Sequence, residues 1–173
     1  MYIHDFLRSK NVWFEGLLYQ PASSSAKRAR NARITGRQVA KAVLLRAGDS
    51  FLVAVLPASC LIDLDRLSHV LGAPGCDLRL ATPEELLATF PDCEPGVVPA
   101  FGRLYGLPTM VDSRLSEIGD IVISANTRHE GLWMHFRDFA AIEEPAQAAF
   151  SRPISSGNGH SLPGTRDRNR RAG

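Results

Sequence analysis

The stretch that decides the fold is GRQVAKAVLLRAGDSFLVAVLPA, residues 36–58. Two β-rich runs flank Ala47-Gly48-Asp49-Ser50, a turn-forming tetrapeptide, and this spacing predicts a β-hairpin. Side chains alternate along a strand, so Val39, Lys41, Val43 and Leu45 share one face of the first run while Ala40, Ala42 and Leu44 share the other. Both faces are apolar except at Lys41. An ammonium on a strand covered on both sides costs several kcal/mol, about the effective penalty per buried ion, unless an anionic or hydrogen-bonding partner meets it. Two readings follow: a cavity holding a partner, or a strand that begins nearer Ala42 and lets Lys41 reach solvent along its apolar stem.

Outward from the hairpin, the chain alternates helices and strands. Residues 2–10 read as a helix and 12–20 as a first strand. The segment 23–36, with serines to cap it, alanines at 26, 29 and 32, and Gly36 as a stop, reads as an amphipathic basic helix. Residues 63–73 read as a helix capped by Asp63, and 76–81 as a short strand. Thr82-Pro83-Glu84-Glu85 opens the next helix as a capping box with proline at its first position. Stretches 109–115, 120–126 and 130–136 are strand candidates, and 137–150 is a closing helix. The pattern predicts a single α/β domain over residues 1–150 with a mixed sheet. From Ser151 onward Ser, Gly, Pro, Asn and Arg dominate, a composition expected to be disordered.

Residues 91–108, PDCEPGVVPAFGRLYGLP, hold four prolines and three glycines. That is too many for a regular element, but Val97, Val98, Phe101, Leu104 and Tyr105 predict an ordered, partly buried loop. Such a loop can aim backbone N–H groups at an oxyanion.

The net charge of +2 conceals an asymmetry. The last 23 residues carry five arginines and one aspartate, so residues 1–150 are slightly acidic. Between Glu15 and Asp49 every charged side chain is basic: Lys27, Arg28, Arg30, Arg33, Arg37, Lys41 and Arg46. A stripe of this kind suits either a polyanion or a solvated helix face. No apolar run is long enough to span a bilayer or to serve as a signal peptide, so the expected location is cytoplasmic, with no membrane partner. Cys60, Cys76 and Cys93 lack disulfide or zinc-site spacing, and His129 with His135 is too little for a metal. Cys93 is a weak nucleophile candidate because no histidine adjoins it in sequence.

In their order, GRQVAKAVLL, FLVAVLPAS, LDRLSHVLG, LRLATPEEL, FPDCEPGVVPAFG, PTMVDSRL and DIVISANTRHEGLWMHFRDF resemble the YbaK/ProX family of free-standing editing domains, related to the insertion domain of bacterial prolyl-tRNA synthetase. The resemblance runs from about residue 3 to residue 142. It implies a curved, partly barrel-like mixed sheet around a pocket and an aminoacyl-tRNA deacylase that edits mischarged tRNA in trans. It implies neither cofactor nor metal: water attacks the ester, assisted by the substrate's own hydroxyl and by the glycine/proline loop. Lys41 matches the family lysine, Gly96 the first loop glycine, and Phe101 and Gly102 the end of the loop. Val98, Pro99, Asn126 and Arg128 would line the substrate pocket, and Lys27, Arg28, Arg30, Arg33 and Arg37 would face the tRNA acceptor end. An aminoacyl-tRNA synthetase is a further implied partner. Three departures stand out: Ala100 where members carry proline before Phe-Gly, Asn126 and Arg128 where they carry glycine and histidine, and Tyr19 where a histidine is common. These keep a non-catalytic module that binds tRNA or aminoacyl-adenosine as the alternative.

Overall fold

The computed structural model describes residues 2–18, 34–75 and 77–154. The expected basic helix, with Lys27, Arg28, Arg30 and Arg33, and the tail beyond Ile154 lie outside the described residues. Among those described, the hairpin forms as the sequence predicts. Strand β2 (Val39–Ala47) pairs antiparallel with β3 (Ser50–Pro57), with Lys41 opposite Leu56 and Ala47 opposite Ser50. Gly48 takes the turn with φ +58°, a conformation that favours glycine.

Around this hairpin the chain builds one eight-stranded mixed sheet. Helix α1 (Ile3–Ser9) leads to edge strand β1 (Glu15–Leu18), which pairs with β8 (Glu130–His135), and β8 pairs with β7 (Asp120–Ser124). β7 runs parallel to β2 for two residue pairs, Val39 with Val122 and Ala40 with Ile123. The same side of β2 is taken up again by β5 (Leu78–Leu80), from Leu45 to Ala47. Beyond β3 lie β6 (Thr109–Asp112) and the opposite edge β9 (Ala146–Ala148), both parallel to their neighbours. The sheet order is β1-β8-β7-β2-β3-β6-β9, with β5 beside β2, and the sheet does not close into a barrel. A separate two-stranded ribbon pairs β4 (Cys60–Ile62) with β10 (Ser151–Pro153).

The helices confirm two sequence signals. In α2 (Leu64–Val70) Asp63 caps the Arg66 N–H, and in α3 (Pro83–Thr89) Thr82 and Glu85 form the reciprocal capping box. Glu85 also binds Arg46 and Arg79, fastening α3 to β2 and β5. These contacts hold its carboxyl well below the usual range, the Arg79 hydrogen bond foremost. Elsewhere the elements are shorter than the sequence suggests. The stretch 109–115 is a strand only to Asp112, whose buried carboxylate caps α4 (Ser113–Ser116) through the Arg114 N–H. The closing helix α5 (Phe136–Glu143) stops at Glu144, which is left-handed at φ 47°, and β9 follows where helix was expected. Asp112 also accepts from the backbone of Phe150 and Ser151. β10 is thereby held in the fold, which continues through Ile154, past the boundary expected at residue 150.

Two apolar clusters sandwich the sheet. On one face Ala40 and Leu44 pack with Val53, Val55, Ile121, Ile123, Phe136 and Phe139, beneath α1 and the loop after α3. On the other, Leu45, Leu56, Cys60, Leu67 and Phe150 form a second cluster, and Val39, Ala58 and Val122 a small third one. The alternation read from the sequence is therefore realised, and Lys41 sits between the second and third clusters.

Candidate functional site

Lys41 is half-buried, and its Nζ donates to the Cys60 carbonyl at 2.6 Å. Burial pushes its pKa below the ordinary lysine value, while nearby Cys60 acts weakly in the opposite direction. The lysine is half-exposed and meets no anion among the described residues. A single backbone carbonyl, which a ligand oxygen could replace, is the one protein hydrogen-bond partner of its ammonium among the described residues. Continuing the β2–β7 register one step beyond Ala40 and Ile123 brings Lys41 level with Ser124. Val122 lies on the Lys41 face, so strand alternation puts Ser124 there too.

The proline/glycine loop is tied down just past the end of β7. The Glu94 N–H donates to the Asn126 carbonyl at 2.8 Å, and the Arg128 N–H donates to the Glu94 carboxylate at 2.7 Å. Arg128 Nη2 also donates to the Pro95 carbonyl. Gly96 is exposed with φ +81°, and a Cβ there would stand 3.0 Å from Arg128 Nη2. The positive φ favours glycine, while the exposed Arg128 side chain would have to give only slightly to admit a Cβ. Arg128 therefore clasps the outer turn of the loop. The loop packs through Cys93, Val97, Ala100 and Phe101 on the face of the sheet that carries Ala40 and Leu44, whereas Lys41 is on the opposite face; the two motifs share only the neighbourhood of the end of β7.

The other site candidates occupy different positions. Phe101 is fully buried, stacked edgewise on Phe6 and tilted against Phe139. A Cβ on Gly102 would come within 2.5 Å of Thr109 Oγ1 and 2.9 Å of the Leu107 carbonyl. These two residues anchor the inner end of the loop in the core, and glycine is needed there for close approach. Pro99 is buried and Val98 half-buried. Asn126 is 3% exposed: its Oδ1 accepts the Ile3 N–H at 2.9 Å, and its Nδ2 reaches the Asp92 carbonyl and Cys93 Sγ. It is a brace joining α1 to the loop, and it also lines a cavity beside α1 with His4 and Glu130. Arg37 stands exposed in the turn before β2. Cys93 is buried beneath Asn126 and Tyr105, and burial pushes its thiol up, away from the thiolate a nucleophile needs.

One buried group had no sequence signal. Glu143, 1% exposed at the end of α5, accepts from Thr109 Oγ1 and from the Arg103 N–H, while Thr109 accepts the Gly102 N–H at 3.2 Å. Its Oε2 is buried without a hydrogen-bond partner among the described residues, and desolvation pushes its pKa upward. Because an amphipathic helix presents glutamates to water by default, nothing in the sequence distinguishes this one.

Fold and sequence together define a class. A family model for the aminoacyl-tRNA editing domain matches residues 20–142, and the chain belongs to that family. No curated protein sequence matches it significantly. Among solved structures it is similar to a hypothetical protein, APE2540, with a TM-score of 0.76 and 15% identity over 87% of this chain and 99% of that one. It is also similar to a candidate trans-editing enzyme for prolyl tRNA synthetase, with a TM-score of 0.70 and 19% identity over 87% and 94% of the two chains. A candidate signal transduction protein from Marinobacter aquaeolei VT8 shares the fold at a TM-score of 0.63 and 22% identity; 86% of this chain matches 30% of that one. At these identities the likeness establishes the fold. Among the described residues no helix is long and apolar enough to cross a membrane.

Proposed function

We propose that the protein is an aminoacyl-tRNA deacylase that hydrolyses the ester of a mischarged tRNA in trans, with prolyl-tRNA-type editing as its class and the cytoplasm as its setting. The observation that carries this reading is the half-buried ammonium of Lys41, held by one backbone carbonyl, that of Cys60 at the start of β4. A substrate oxygen, phosphate or ester, displaces Cys60 from Lys41 and recovers the desolvation cost of the ammonium. Water attacks the ester carbonyl, the tetrahedral oxyanion forms against Lys41, and collapse expels the ribose hydroxylate, which takes the proton given up by water. One preorganised oxyanion donor is worth about 3–4 kcal/mol of barrier. The basic segment around Lys27–Arg37 faces the acceptor end of tRNA, and an aminoacyl-tRNA synthetase supplies the mischarged substrate. Size-based exclusion in a pocket discriminates by only about 1–3 kcal/mol per methylene, which is the reason for a separate editing step.

A binding module without turnover is the second reading. It is favoured by the Arg128 clasp on Pro95, which occupies the loop's outer carbonyl and crowds Gly96. Deacylation of a panel of mischarged tRNAs, including prolyl tRNA charged with small non-cognate amino acids, separates the two. Hydrolysis of at least one panel member that is lost in Lys41→Ala supports the deacylase. Tight tRNA binding with no turnover on any member, at micromolar protein, identifies the binding module.

A further inference from the structure

A cavity of about 530 Å³ lies beside the Lys41 site, and the mechanism above makes no use of it. Its walls include Arg37, Ser59, Cys60, Arg114, Glu117 and Ile154. Cys60 is shared by two places, since its carbonyl holds Lys41 and the residue lines this cavity. The cavity therefore begins one residue away from the ammonium.

Its charges are specific. Arg37 is exposed and has no hydrogen-bond or ion-pair partner among the described residues. Arg114 is oriented through Nη1 alone, which donates to Asp112 Oδ1 at 3.3 Å and to the Ser151 carbonyl at 2.9 Å. The rest of its guanidinium has no protein partner among the described residues and is available at the wall. Two guanidiniums thus stand against one carboxylate, Glu117. The wall is net positive with a single carboxylate, so a ligand with a phosphate plus neutral hydroxyl or amine donors satisfies all three side chains. A ribonucleotide has this character, and the volume falls within the range of about 300–1,000 Å³ typical of small-ligand sites.

We infer that this cavity is a second nucleotide subsite. It takes the nucleotide preceding the terminal adenosine in the single-stranded end of tRNA, with the phosphate between Arg37 and Arg114 and a ribose hydroxyl or base amine at Glu117. The identity of that nucleotide rests on the deacylase reading, while the binding itself needs no turnover.

The test titrates the full chain with labelled, uncharged CpCpA trinucleotide across a series of salt concentrations. Arg37 is exposed, so Arg37→Ala keeps the fold. Arg114 is left intact because it braces Asp112 and β10. Arg37→Ala is expected to weaken CpCpA binding about tenfold, as for one charge-assisted contact. The slope of log K against log salt should become shallower by about 0.7, as for one phosphate contact to a single strand. Arg8→Ala, on α1, should leave both quantities unchanged. Equal affinity and equal slope in wild type and Arg37→Ala overturn the subsite, as does an equal loss in Arg8→Ala. The mischarged-tRNA panel is scored separately. A silent panel with Arg37-dependent CpCpA binding sinks the deacylase and leaves the subsite standing, whereas turnover with Arg37-independent CpCpA binding sinks only the subsite.

Discussion

Lys41 on β2 and Glu143 at the end of α5 are two ionisable side chains drawn out of water, and they are held in opposite ways. Glu143 is enclosed by protein: Thr109 and the Arg103 amide donate to one oxygen, and the other is sealed in without a hydrogen-bond partner among the described residues. Lys41 is half-open and donates to a single backbone carbonyl. In both, desolvation disfavours the charged form, raising the carboxyl pKa and lowering the ammonium pKa. The difference lies in replaceability. The contacts of Glu143 can be exchanged only by opening the core, and those of Lys41 by the arrival of a ligand, so burial marks structure in one case and a binding site in the other.

That contrast can be broken at several points, of which Lys41→Met is the most severe for function. It removes the charge and keeps the apolar stem, so deacylation should fall by at least about a hundredfold, the scale of one lost oxyanion donor. The thermal midpoint should stay level or rise, because a desolvated charge has been deleted. Parallel activity and melting measurements check both halves; a large drop in melting temperature would make Lys41 a structural residue like Glu143. Gly102→Ala should behave conversely. Its Cβ would press on Thr109 Oγ1 and the Leu107 carbonyl beside Glu143, and overpacking of this kind costs about 1–3 kcal/mol in a denaturant titration.

Glu143→Gln tests the pH dependence of the enclosed region. Its folded pKa is raised, so the folded state holds the proton more tightly than the unfolded chain does. The resulting stabilisation is full below the ordinary carboxylate range and is lost as pH rises through the folded value. Wild type should therefore lose stability across that window, and Glu143→Gln, which carries no titrating proton, should show a flatter profile in melts at stepped pH. Arg128→Ala is expected to change stability by less than about 0.5 kcal/mol, since its side chain lies at the surface. By releasing Pro95 and Gly96, it should alter kcat more than KM. Cys93→Ser should have the smallest effect, less than about twofold on turnover, because a buried thiol with a raised pKa supplies no nucleophile.

What the sequence disclosed depended on the range of the forces involved. The hairpin, the Asp63 cap and the Thr82–Glu85 box are local, and residues a few positions apart encode them completely. β4, β9 and β10 are strands of three residues each. Such strands exist only through distant partners, which no periodicity records. The turn from β6 into α4 depends on Asp112 accepting three backbone N–H groups, two of them nearly forty residues away. The same division runs through the site. Alternation was enough to single out Lys41, but its partner is a backbone carbonyl, a group every residue carries. Phe101 and Gly102 matched a motif by position, yet their burial makes them foundations of the loop. Glu143 was indistinguishable from the solvent-facing glutamates of any helix.

The pairing of β2 carries a mechanical consequence. On one side β2 is bonded to β7 only at Val39 and Ala40 and to β5 only from Leu45 onward, and the interval between begins at Lys41. The sheet is therefore two panels hinged on a common strand: β1, β8 and β7 on one, and β3, β6 and β9 on the other. A sheet resists bending through its ladders, and here one ladder is two rungs long. Any change in the angle between the panels concentrates in that interval, so the lysine stands where the framework is most compliant.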